Sequence, residues 1–329
     1  MNHAIRLRRG LSSAAVAAIA TGIAFSLAGP AAATAPRGTV QIDNRQLIVT
    51  GTNHADNIAL RVPAADPTVL EVDFGNDGHA DETVKLADFG QMLVNSRRGD
   101  DDVRIDFGTL TQPFTVVDTG DGDDVVSGGS GNELFRTGNG NDRVDGNRGT
   151  DTALLGNGDD AFTWDPGDGS DVIEGGRGTD KMLFNGSDGA EKFAATANGA
   201  RLRFTRDLGN IVMDTDDVER VVLKALGGAD STTIGDLRGT DVRKVDVDLG
   251  SQTGGGDGAI DSVTVNGTAG RDFIRVSGSR GTVNVNGLKP DVRITHAEST
   301  DQLIVDTRAG NDTVNSRNLA PGTIGLTIL

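Results

Sequence analysis

The chain has 329 residues with a formal net charge of −17, 47 glycines, one Trp, no Tyr and no Cys. Such an acidic surface repels nucleic acid and anionic lipid and attracts cations. Without cysteine no disulfide stabilises the fold, and glycine interrupts almost every run of helical spacing, which excludes a helical architecture.

In chain order, Arg6, Arg8 and Arg9 precede an apolar run over residues 11–28, which Gly29 and Pro30 break. Small residues over 31–35 then offer an A-x-A site, so residues 1–33 read as a secretory signal peptide cleaved after Ala33. The alternative, an uncleaved anchor, meets an Ala/Gly-rich run barely long enough to span. Arg8-Arg9 leaves twin-arginine export open beside the general route. The expectation is a secreted chain, free or held at a cell surface, with no membrane span after leader removal. That removal takes away three arginines and no acid, so the mature chain is still more acidic.

Beyond the leader, short runs rich in Val, Ile, Thr and Leu recur between Gly, Asn and Asp, as in "RQLIVTG", "FTVVDTG", "KVDVDLG" and "SVTVNG". These are strand and turn signals, and the chain reads as nearly all β. A longer repeat occurs in about three copies. Each copy opens with a strand, a Gly-(Ser/Thr) turn and an acid (Asp56, Glu191 or Asp272). Each closes with a strand and a Gly-x-Asp turn ending in Asp101, Asp230 or Asp312. This divides the chain into β modules at 39–116, 184–262 and 263–329, with a tandem array at 117–183 between the first and second, in one continuous stack.

In the array the acids Asp124, Glu133, Asp142, Asp151, Asp160, Asp171 and Asp180 recur every nine residues, with one step of eleven at Trp164 and Asp165. A glycine stands two residues before every acid. Two residues after stand Val126, Phe135, Val144, Ala153, Phe162, Ile173 and Met182, all apolar. Six turn-forming residues followed by three strand residues, the central one pointing inward, describe half a coil. Eighteen residues complete a coil, and coils stack as parallel strands roughly 4.8 Å apart. One edge then carries Asp124, Asp142, Asp160 and Asp180, the other Glu133, Asp151 and Asp171. One inward apolar residue in nine is a thin core, set against about 1–2 kcal/mol of backbone entropy per residue.

From Asp118 to Asp180 fifteen acids face four arginines, a net of −11. Stacked carboxylates repel unless a cation lies between them. The donors on offer are carboxylates and glycine carbonyls, with no Cys or His, which suits neither zinc nor copper. A pliable, carbonyl-rich turn favours calcium over magnesium.

The array, which includes "GGRGTDKML", "TGNGNDRVD" and "LGNGDDAFT", resembles the RTX (hemolysin-type) calcium-binding repeat, G-G-x-G-x-D-x-U-x with U apolar. The resemblance implies an all-β parallel β-roll or β-helix solenoid, with RTX-like tandem coils flanked by degenerate β repeats. It implies Ca2+ ligation by Asp124, Asp142, Asp151, Asp160, Asp171 and Asp180. It also implies carbonyl donors among Gly120, Gly122, Gly138, Gly140, Gly156, Gly158, Gly167 and Gly169. Glu133 departs from the pattern, which weakens a Glu133/Asp151 site, and the insertion at Trp164 and Asp165 is expected to disturb the sites spanning it.

Other motifs are bland. "VDFGNDGHADETV" lacks the ligands of an EF-hand loop where Gly75 and Val84 stand and reads as a hairpin loop. His54, His79 and His296 read as surface residues, and Trp164 as a plug over the array's bulge. There is no H-E-x-x-H and no G-x-S-x-G, so the expected role is not enzymatic. It is a structural one, through calcium ions and a cell-surface or extracellular-matrix partner. The alternative is a β-helix polysaccharide lyase or epimerase, for which a chain with one Trp and no Tyr builds sugar platforms poorly.

Overall fold

A computed structural model describes residues 37–329, so the leader expected at 1–33 lies outside the described residues. The short strands line up in two sheets of 14 strands each. In the array the chain alternates between the sheets at every turn. Among the described residues, no helix is long and apolar enough to cross a membrane.

The register follows from the sequence period. Val126 pairs with Val144 and Phe135 with Ala153, 18 residues on, in parallel strands. Past the insertion Ala153 pairs with Ile173 and Phe162 with Met182, 20 residues on, and the inward positions stay aligned. The two added residues are absorbed in the turn after Trp164, where the Asp165 N–H donates to Asp168 Oδ2 (2.6 Å). The strand pairing survives the insertion because the extra length falls in the turn between Trp164 and the strand that starts at Val172.

The longer repeat has a structural cause. Where one array coil uses 18 residues, coils that begin at Asp56, Glu191 and Asp272 carry an antiparallel excursion within one sheet. These excursions are Asn57–Arg61 with Val69–Phe74 and Glu82–Lys85, then Lys192–Asn198 with Arg201–Arg206 and Ile211–Asp216. The third joins Phe273–Ser279, Thr282–Asn286 and Asp291–Thr295. Opening and closing acids are thus 45, 39 and 40 residues apart but one coil apart in space.

The predicted inward residues Val126, Phe135, Val144, Ala153, Phe162, Ile173 and Met182 are all buried. The core is fuller than one residue in nine, because several strands are longer than three residues. Ala161–Trp164 and Lys181–Ser187 bury a second inward side chain, Trp164 and Phe184, two positions on. Trp164 therefore does not cover a bulge. It lies in the column, stacked on Phe184 (4.0 Å between centroids), and donates Nε1–H to Gly169 O (2.7 Å). One apolar cluster runs from Leu47 to Ile324.

The loop around Asp77 is a hairpin loop, as expected. Asp73 closes it by accepting the N–H groups of Asp77 (3.2 Å) and Gly78 (2.9 Å) while pairing with Arg61 (2.8 Å). His54, His79 and His296 are exposed, and His296 Nδ1 lies 2.5 Å from Asp248 Oδ1.

Candidate metal centre

The turns stack backbone on backbone, which only glycine permits. Gly138 (φ 96°) and Gly140 (φ 137°) lie in the left-handed region. A Cβ on either would stand 2.0 or 1.9 Å from the carbonyl oxygen of Gly120 or Gly122 in the preceding turn. The same relation joins Gly156 to Gly138 and Gly158 to Gly140, so these six glycines, expected as carbonyl donors, form two columns along one edge. Gly176 and Gly178 continue the columns and were not among the expected donors. On the other edge Gly169 stacks on Gly149, whereas Gly167 faces open space because the insertion carries it off the column.

The acids that close these turns form ladders. On one edge the N–H of Asp124 donates to Asp142 Oδ1, that of Asp142 to Asp160 Oδ1 and that of Asp160 to Asp180 Oδ1, at 2.8–2.9 Å. On the other, the Glu133 N–H donates to Asp151 Oδ1 (2.7 Å) and the Asp151 N–H to Asp171 Oδ1 (2.9 Å). The two edges are those expected from the spacing.

Each of the six aspartates uses one oxygen, Oδ1, for the ladder. The other, Oδ2, is buried without a hydrogen-bond partner in Asp124, Asp142, Asp151, Asp160, Asp171 and Asp180. A buried carboxylate oxygen with no protein donor is costly. Burial pushes the carboxyls of Asp124, Asp160 and Asp171 up to about 7 and that of Asp180 to about 6, with nearby carboxylates adding repulsion. Asp142 is raised by burial too. Asp151 and Glu133 are both raised, first by burial and then, for Asp151, by the charge of Glu133.

Glu133 differs in a telling way: its oxygens are already answered. Gln112 Nε2 donates to Oε1 (2.5 Å) and the Gly129 N–H to Oε2 (3.3 Å), while Gln112 Oε1 accepts the Ser130 N–H (2.9 Å). Gln112 is an internal amide cap at the first turn of that ladder. It lies outside the nonapeptide pattern, so spacing alone did not point to it.

The first ladder also runs further than the spacing indicated. Asp101 donates its N–H to Asp124 Oδ1 (2.8 Å), and Asp180 donates to Glu219 Oε2 (2.8 Å). Asp101 could have been found from its Gly-x-Asp turn. Glu219 follows no glycine turn and comes 39 residues after Asp180, across a hairpin. Asp216, Asp217 and Asp241 bring carboxylate oxygens within 4.8 Å of one another in a separate half-buried group. There Asp216 faces Arg201 (3.5 Å).

The donor set of the ladders is therefore hard oxygen: one unanswered carboxylate oxygen at each aspartate turn of the array, beside columns of glycine carbonyls. That set fits calcium, which takes 6–8 oxygens in a flexible shell. A family model described as the RTX calcium-binding nonapeptide repeat (4 copies) matches residues 116–132, 127–162 and 167–190. No curated protein matches the chain.

Proposed function

We propose, taking this chain as an RTX-type repeat protein, that it is exported and that calcium outside the cell completes its β-roll for a structural, non-enzymatic role at a surface or in a matrix. The carrying observation is the row of six buried Oδ2 atoms without donors in the array. In this reading Asp124, Asp142, Asp151, Asp160, Asp171 and Asp180 hold calcium between successive turns. Carbonyls of Gly120, Gly122, Gly138, Gly140, Gly156 and Gly158 add to the shell on one edge, and Gly169 on the other. Gly167 stands off the column and contributes least.

Calcium supplies positive charge between carboxylates. The chain's own part is to align those carboxylates through the N–H ladder and to exclude water from them. Extracellular calcium would stabilise such a stack by mass action even at modest site affinity. The leader-like residues 1–33 and the net charge of −17 support export and a cation-rich setting. The test is circular dichroism during titration with calcium and, separately, magnesium. Calcium is expected to raise β signal and thermal stability, and magnesium at equal concentration to fail. Equal responses to both would mean general charge screening and would overturn the site geometry.

A further inference from the structure

The rows of unanswered carboxylates do not end with the tandem repeat. Among the described residues eight aspartates bury an Oδ2 without a partner, and two of them, Asp101 and Asp230, lie outside the stretch that matches the nonapeptide family.

Asp101, only 2% exposed, accepts the Asp56 N–H (2.7 Å) and donates its own to Asp124 Oδ1 (2.8 Å). The turn leading to it follows the array's backbone path although its first glycine is missing. Arg97 (φ 81°) and Gly99 (φ 118°) stand where the array has Gly120 (φ 94°) and Gly122 (φ 142°). The carbonyl oxygens of Arg97 and Gly99 lie 1.7 and 1.9 Å from where Cβ atoms on Gly120 and Gly122 would be. This is the relation that Gly120 and Gly122 bear to Gly138 and Gly140.

Asp230 repeats the arrangement on the opposite edge. It is 3% exposed, accepts the Glu191 N–H (2.8 Å) and donates to Asp261 Oδ1 (2.8 Å). Leu226 (φ 70°) and Gly228 (φ 105°) precede it, and Asp257 joins the turn by accepting the Gly228 N–H (3.0 Å).

The opening acids of the same modules make the contrast. Asp56 is satisfied by the N–H and hydroxyl of Thr52, and Asp272 by the N–H (2.7 Å) and hydroxyl (2.9 Å) of Thr268. Glu191 accepts the Ser187 N–H (2.7 Å) and pairs with the Arg206 guanidinium. These carboxylates carry their own counter-groups.

We propose that Asp101 and Asp230 each complete a calcium site outside the tandem repeat. Asp101 acts with Asp124 and the carbonyls of Arg97 and Gly99, and Asp230 acts with Asp261 and Asp257. Asp56, Glu191 and Asp272 are closed ladder ends that take no ion. The inference rests on the calcium reading of the array and extends it to turns that lack the repeat's first glycine. The residue required is not that glycine but a buried carboxylate without a donor.

The test is the calcium count of the mature full-length chain by isothermal titration, with chelated unfolding curves confirming that each variant folds. Asp101→Asn and Asp230→Asn should each lose about one ion, and the double variant about two, whereas Asp272→Asn should keep the wild-type count. Hydrogen exchange on the wild type gives a readout that needs no variant: calcium should slow exchange at the amides of Gly99 and Gly228. Wild-type counts in both variants, or calcium protection confined to the array, would overturn these two sites and leave the array's sites standing. A wild-type chain that takes up no calcium would overturn the array reading and this inference with it.

Discussion

Replacing Asp160 by Asn should change the protein's stability in opposite directions with and without calcium. Asp160 is 2% exposed, its Oδ1 accepts the Asp142 N–H (2.8 Å), and its Oδ2 has no partner. Burial raises its carboxyl from 3.8 to about 7. At about 1.4 kcal/mol per pH unit, ionising it in the metal-free stack costs roughly 4 kcal/mol above neutral pH. Asparagine keeps the ladder acceptor and removes the charge, but leaves its amide N–H donors to be satisfied, at roughly 1–3 kcal/mol. The net expectation in chelator at about pH 8 is a gain of roughly 1–3 kcal/mol. In calcium the sign is expected to reverse, because in the proposed assignment Asp160 lies between two calcium sites. Each site occupied at a hundredfold excess over its Kd contributes about 2.7 kcal/mol, so losing one or both outweighs the gain. Thermal or urea unfolding in chelator and in calcium measures both arms. A variant destabilised equally in both would show that Asp160 is a structural hydrogen-bond acceptor only, and the electrostatic argument would fall.

In chelator, the stability of the chain should fall as pH rises. The raised carboxyls of Asp124, Asp160, Asp171 and Asp180 bind more protons in the folded than in the unfolded state. Their stabilising contribution is complete below the unfolded value of 3.8 and is lost as pH passes about 6–7. Saturating calcium should flatten this slope, since bound carboxylates are deprotonated; a chelated chain more stable at about pH 8 than at about pH 5 would contradict it. Limited proteolysis in chelator should cut first between Thr119 and Leu183, and calcium should suppress those cuts; equal resistance there and near Val265 would mean a prefolded roll. Arg206→Met should destabilise the fold by about 3–5 kcal/mol with or without calcium, because it leaves the buried Glu191 carboxylate unpaired. A loss confined to the calcium-bound state would place Arg206 in the metal's service instead. Gly140→Ala should cost at least about 1–3 kcal/mol in both conditions, from its positive φ and the nearby Gly122 carbonyl; a neutral substitution would refute the tight stacking of turns.

The period of the repeat by itself determined the coil length, the inward column and the partition of the acids into two edges. It could do so because strand pairing and side-chain direction in a regular stack depend only on residue spacing. Val126, Phe135 and Val144 are buried where the period places them, and Asp142 and Asp160 meet at its distance of 18 residues. The nature of the donors, carboxylate and carbonyl without sulfur or imidazole, was equally a property of composition. Tertiary structure alone decided which carboxylates keep an unanswered oxygen. Glu133 is closed by Gln112, 21 residues earlier, and Glu191 by Arg206, 15 residues later across a hairpin, while Asp101 and Asp230 stay open. Trp164 likewise lies in the core because the strand continues past the three residues that the period assigns. Hydrogen-bond satisfaction depends on which distant group the excursions bring back to a turn, and no local spacing records that. The same excursions separate Asp180 from Glu219 by 39 residues along the chain and join them at 2.8 Å in space.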